Sequence, residues 1–204
     1  MSEASSAAMP DHAQVGLVPG RDCGACTVCC KELTVDTDAI RKVQGIACVH
    51  CIAGGGCGIY HQRPAICRAW FCLWRRYAWL DDTWRPDRSQ ILLRATDDDV
   101  PAGYAAGSGV VLDVLGPCEI VLRHEVVTAI ATFISAGVAT FLSVPALPGY
   151  AGGRVLLNPS LQAPAQDGDG DSLKKRLVEA FLRSALHPKV PIELEEVSPS
   201  PLRP

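Results

Sequence analysis

DCGACTVCC, residues 22 to 30, opens a stretch that holds nine of the ten cysteines: Cys23, Cys26, Cys29, Cys30, Cys48, Cys51, Cys57, Cys67 and Cys72. Cys118 stands alone. Cysteines used only as small buried hydrophobes would be scattered, so this density points to a metal or redox centre. Each C-x2-C step lets two thiolates converge on one ion. Cys29 and Cys30 are adjacent, and neighbouring side chains diverge on either a strand or a helix. The pair is therefore expected to divide between two centres, or to contribute one ligand only.

Downstream, Cys26-x2-Cys29, eighteen residues and Cys48-x2-Cys51 match the usual spacing of a structural zinc site. Between these pairs, KELTVD (31–36) reads as a short strand, and a short helix capped at Asp36 or Thr37 is expected to reach Val43, with Gly45 as its stop. Gly54 to Gly56 are expected to let the backbone approach a bound ion. Cys57 and Cys67 add two soft ligands. Pro64 is placed to start a helix to about Leu80, with Ile66, Trp70, Leu73, Trp74 and Tyr77 as its core stripe. Cys72 lies round that helix from Cys67 and is treated as optional. His50 and His61 are reserve ligands. Arg21, Lys31, Arg63 and Arg68 are the cations placed to offset thiolate charge, with Arg68 expected to serve the sulfur of Cys67.

The 204 residues contain 48% hydrophobic and 20% charged side chains, which suits a globular chain with its own core. A net charge of −3 gives no electrostatic case for a nucleic-acid partner. The first twenty residues have neither a basic n-region nor an apolar h-region, so a secretory signal is not expected. A cytoplasmic setting is expected in its place, where thiols stay reduced and a cysteine cluster binds metal rather than forming disulfides.

CGACTVCC, then Cys48 and Cys51, then Cys57-x-Ile59-Tyr60-x-x-Arg63-Pro64-x-x-Cys67-Arg68, resembles the YkgJ-like cysteine-cluster family. The resemblance spans about residues 22–75. It implies a zinc- or iron-chelating domain built on eight cysteines, here Cys23, Cys26, Cys29, Cys30, Cys48, Cys51, Cys57 and Cys67. The implied cofactor is one or two Zn2+ ions, or iron as an iron-sulfur cluster. Some relatives are described as iron-sulfur oxidoreductases. One division of the eight places Cys26, Cys29, Cys48 and Cys51 on one ion and Cys23, Cys30, Cys57 and Cys67 on another.

After Trp84, the stretch WRPDRSQ reads as a boundary. Strands are expected over 89–96, 110–115, 138–144 and 154–157, with a helix from about His124 to Ala136 closed by Gly137. The uncharged run Val126–Val144 is read as that helix-strand pair, not as a membrane span. Gly107-Ser108-Gly109 reads as a turn and Asp97–Asp99 as a solvated turn. AQDGDGDS (165–172) lacks the glycine and glutamate of a calcium loop and reads as a linker, with Ser172 capping an amphipathic helix over 173–187. The whole is expected to be α+β: an arm (1–20), a loop-rich metal-stapled cysteine domain (21–86), a mixed region (87–164), then linker, helix and a flexible tail (188–204). No Ser-His-Asp set or paired carboxylates appear, so catalysis would rest on the metal. Besides zinc chelation, the chain supports an iron-sulfur redox reading. A third reading is a zinc-scaffolded module whose segment after residue 88 meets an unknown protein partner.

Overall fold

The apolar segments Ile91–Thr96 (β3) and Gly109–Val114 (β4) pair antiparallel, from Ile91 opposite Val114 to Thr96 opposite Gly109. The fold is α+β. The computed structural model describes residues 16–104 and 109–194. β4 runs parallel to β5 (Thr140–Ser143) through the crossover helix α4 (His124–Ser135), and β5 pairs antiparallel with β7 (Arg154–Leu156). The sheet order is β3-β4-β5-β7.

Alternation along the strands gives the sheet two faces. Ile91, Leu93, Val110, Leu112 and Leu142 face the main core with α4, α5 (Asn158–Asp167) and α6 (Gly170–Ala185). Each fully buried Leu or Ile there contributes about 1.5–3 kcal/mol. Val111 and Phe141 face the other way, into a smaller cluster. On that second face Leu92 and Arg94 of β3 form part of the wall behind the cysteines. Asn158 is 1% exposed and ties the helical layer to the sheet. Its Nδ2 donates to the Val138 carbonyl and its Oδ1 accepts from the Thr140 amide, both at 2.8 Å. Among the described residues no helix is long and apolar enough to cross a membrane.

The expected strands and the helix ahead of Gly137 form close to where they were read, and Gly137 has the positive φ of +74° that ends α4. Other expectations fail for local reasons. Lys31 and Glu32 belong to α1 (Val28–Glu32), so only Val35–Asp36 (β1) remains of the strand read over 31–36. The helix expected up to Val43 is instead a hairpin, β1 with β2 (Arg41–Lys42). Thr37 turns the chain there, its hydroxyl bonded to the carbonyl and amide of Ile40 at 3.2 Å each. The long helix from Pro64 breaks at Trp70: α2 is Ala65–Ala69, followed by a 3-10 turn at Leu73–Arg75. Leu73, Trp74 and Tyr77 enter the core, but Ile66 is 45% exposed.

The boundary read at WRPDRSQ falls inside the main core, where Leu73, Tyr77, Leu80 and Trp84 pack with the sheet and α4. Pro86–Ser89 there forms a short helix, α3. The linker read over 165–172 shrinks to Gly168-Asp169, because α5 runs through Asp167 and α6 begins at Gly170. Asp169, not Ser172, caps α6, its carboxylate accepting the Ser172 amide at 3.0 Å. Leu173, Leu177 and Ala180 dock α6 on this chain, while Leu182 points outward. Of the expected arm, residues 16–20 are described, and Val18 donates its amide to the Arg75 carbonyl at 2.8 Å. Of the expected tail, Val190–Pro191 (β8) pairs with Tyr150–Ala151 (β6). The rest of both termini, and Gly107 and Ser108 of the expected turn, lie outside the described residues.

Candidate metal centre

Short turns, rather than long elements, bring the cysteines together. α1 carries Cys29 and Cys30, whose thiols act on each other despite their adjacency. Two of the three C-x2-C steps are closed by a backbone bond, the Cys26 amide on the Cys23 carbonyl at 2.8 Å and the Cys51 amide on the Cys48 carbonyl at 3.0 Å. The Cys48 amide donates to the Cys30 carbonyl at 2.9 Å, which joins the second step to α1. Cys51 and Cys57 form an isolated antiparallel bridge, and Cys67 rides on α2. The glycines between them have a different use from the one expected. Gly55 has φ +97°, and a Cβ there would stand 2.5 Å from the Ala25 carbonyl oxygen. The close approach is to the first cysteine turn, not to an ion.

The thiols act on one another in two sets. In the larger, Cys30, Cys48 and Cys57 act on both Cys51 and Cys67. The Cys29 thiol and then burial push the Cys30 thiol far up. Burial, followed by the charges of Cys30 and Cys48, raises Cys51 and Cys67, and Arg63 partly offsets this at Cys67. The smaller group is Cys23, Cys26 and Cys72. Burial raises Cys26, and it pushes Cys72 up to about 11, with Cys23 and Cys26 adding to the effect on Cys72. Cys30 thus interacts with Cys29 and Cys51, and Cys26 with Cys23 and Cys72. All ten cysteines are free thiols. Cys118 lies elsewhere, against the main core and beside Glu119.

Thiols of both groups line one cavity of about 240 Å³, and among its described lining residues there is no Asp or Glu. Its cations are only partly those expected. Lys42, 6% exposed, places its ammonium beside Cys48, Cys30 and Cys29. It donates to the carbonyls of Lys31 at 3.1 Å, Leu33, and Val43 at 3.4 Å. Burial pulls its pKa down, and the thiols and Glu32 resist that. Arg75, also 6% exposed, donates Nη1 to Cys23 Sγ at 3.8 Å and to the Tyr60 hydroxyl at 3.4 Å. Its Nε and the indole nitrogen of Trp74 are buried without a partner. Arg94 is matched by Asp113 at 2.6 Å. Arg63 stacks on Tyr60, 3.8 Å from the ring centre.

The remaining expected cations sit elsewhere. Arg68 is exposed, and Lys31 pairs with Glu32 at 3.3 Å. Arg21 donates to the carbonyls of Trp74 and Tyr77, as a strap across the body. His50 lines the cavity, whereas His61 packs edge-on to Tyr60. Asp98 and Asp99 are answered by Arg154 at 3.5 and 3.8 Å. Lys42 and Arg75 were missed because nothing near them in the sequence shows that the hairpin and the 3-10 turn carry them under the thiols.

Among the described residues, no three His, Cys, Asp or Glu side chains stand in ligating geometry as placed. The donor chemistry fits a thiophilic ion nonetheless: grouped soft sulfurs, buried cations and no competing carboxylate in the cavity wall. No family model, curated protein or solved structure matches the chain.

Proposed function

We propose that this is a metal-chelating cysteine-cluster protein of the YkgJ-like kind, binding zinc or iron through thiolates. The observation that supports it best is one cavity lined by Cys29, Cys30, Cys48, Cys57 and Cys67 together with Lys42, whose buried ammonium lies beside Cys29, Cys30 and Cys48. Thiols crowded in this way resist ionising one after another, because each new thiolate repels the next. A bound dication reverses that cost, and ligation releases the protons. When bound, zinc supplies folding energy to a segment with little regular structure of its own, or a Lewis acid if a ligand position stays open. The chain's own part is to gather the sulfurs by turns, to hold Lys42 and Arg75 as counter-charges, and to close the site with the wall of β3. A cytoplasmic setting, which keeps thiols reduced, suits this reading.

The test is metal content with a visible spectrum on protein purified without oxygen. A colourless protein carrying zinc supports structural or Lewis-acid chelation. A brown protein with iron and acid-labile sulfide supports the iron-sulfur form of the same centre. Protein that takes up neither metal, even when supplied with both, sinks the proposal.

A further inference from the structure

Cys72 stands outside the eight cysteines that the resemblance supplies, yet its surroundings are those of a ligand. It leads into the 3-10 turn Leu73–Arg75, packs partly against the main core and lines the thiol cavity. Cys23 and Cys26 face it closely enough for their charges to act on it.

The Arg75 guanidinium donates to Cys23 Sγ at 3.8 Å. N–H donors aimed at sulfur favour the thiolate over the thiol and tune metal-bound sulfur. The Asp87 carboxylate lies beside Cys26 and is gripped at both oxygens by Arg85, at 2.7 and 2.6 Å.

Arg75 is the second, independent sign. Its guanidinium is about nine-tenths buried, its Nε has no partner, and no carboxylate lines the cavity it faces. A buried cation without a counter-charge is costly. Three thiolates and one dication together carry one negative charge, and Arg75 carries one positive charge.

We infer that Cys23, Cys26 and Cys72 form a three-thiolate subsite for a thiophilic dication such as Zn2+, with Arg75 as its counter-cation. This rests on the chelation reading above. Ligation requires the three side chains to turn between staggered rotamers toward a common centre. Each thiol that ligates gives up its proton to solvent.

Differential alkylation of the unmutated chain, with and without added Zn2+, tests this directly. Cleavage after arginine releases residues 69–75 with Cys72 as their one cysteine, and residues 95–123 with Cys118 as theirs. Zinc is expected to slow labelling of Cys72, because a ligated thiolate is not free to react, and to leave Cys118 unchanged. As a second arm, Cys72→Ser is expected to lose about half of the bound zinc, as one of two thiolate sites, while Cys118→Ser keeps all of it. If the chain binds zinc and protects Cys29 to Cys67 while Cys72 labels at its metal-free rate, the subsite is wrong and the chelation reading stands. If the chain binds no zinc at all, both fall.

Discussion

The ammonium of Lys42 donates to the carbonyl oxygen of Lys31 at 3.1 Å, one residue beyond Cys30. The last carbonyls of a helix lack internal partners, and a cation there meets the negative end of the helix dipole. Lys42 therefore closes α1 and stands among the thiols that α1 carries. Lys42→Met keeps much of the side-chain volume and removes the charge. Its loss leaves the Leu33 carbonyl without this donor, while those of Lys31 and Val43 keep the amides of Gly45 and Ile46, and is expected to cost about 1–3 kcal/mol of stability. It also takes a counter-charge from the thiolates, and zinc affinity is expected to fall about tenfold. Chelator competition and thermal unfolding read the two effects separately. Unchanged affinity in a folded variant would remove Lys42 from the site.

In the metal-free chain, alkaline pH is expected to destabilise. Burial and neighbouring thiols raise Cys26, Cys30, Cys51, Cys67 and Cys72 above the ordinary 9.0, and burial with the charge of Glu119 raises Cys118. These thiols ionise first in the unfolded state. Their contribution to stability is whole below 9.0 and is lost as pH climbs through the folded values, which for Cys72 is about 11. Lys42 works the other way, since its value is pulled below 10.5, but it is one group against six. The melting temperature should drop between about pH 8 and about pH 10.5 without metal. It should drop much less with zinc, because ligated thiolates have no proton left to lose. A flat profile in the metal-free chain would mean the thiols are not crowded in solution.

Gly55→Ala is expected to disturb the site without touching a sulfur. The residue sits at φ +97°, and the new Cβ would meet the Ala25 carbonyl at 2.5 Å. Left-handed backbone alone costs a side chain about 1–2 kcal/mol. Relief of the clash must push the Gly54–Gly56 loop away from the turn that carries Cys23 and Cys26. Zinc uptake by the variant should weaken, while Gly168→Ala, at φ +70° with open space around it, should strain α5's end and leave uptake alone. Equal uptake in both variants would contradict the role given to Gly55.

Asn158→Leu separates the body from the metal. The substitution orphans the buried Thr140 amide and takes one of two donors from the Val138 carbonyl, which keeps the Thr140 hydroxyl at 3.0 Å. A loss of about 1–3 kcal/mol is expected in denaturant unfolding, with one buried group left unsatisfied. Zinc stoichiometry of the fraction that stays folded should be unchanged. A loss of zinc in parallel would show that the sheet and the cysteine segment are not separable.

The strands of the main sheet were legible because β-branched runs such as VVLDVL sit between turn residues, and α4 because Gly137 ends it. The thiol-rich segment was legible as chemistry but not as geometry. Its turns are decided by single side chains, such as the Thr37 hydroxyl on Ile40, and by contacts between segments far apart in the chain, such as Gly55 against Ala25. Periodicity carries no trace of either. Cys72 was set aside because helical spacing put it far round from Cys67. The break at Trp70 removes that helix and brings Cys72 to face Cys23. The WRPDRSQ boundary failed because Pro86 suits the first turn of α3 as well as it suits a loop.

Arg21 reaches carbonyls 53 and 56 residues further along the chain, at Trp74 and Tyr77, and so ties the two ends of the cysteine segment together through the chain's own bonds. Closing a long flexible loop costs entropy that grows with the logarithm of its length. Here that ordering is done by the fold, through a residue two places ahead of Cys23. For the chelation proposed above, this closure means that less of an ion's bond energy goes into ordering the chain than it would in the isolated segment.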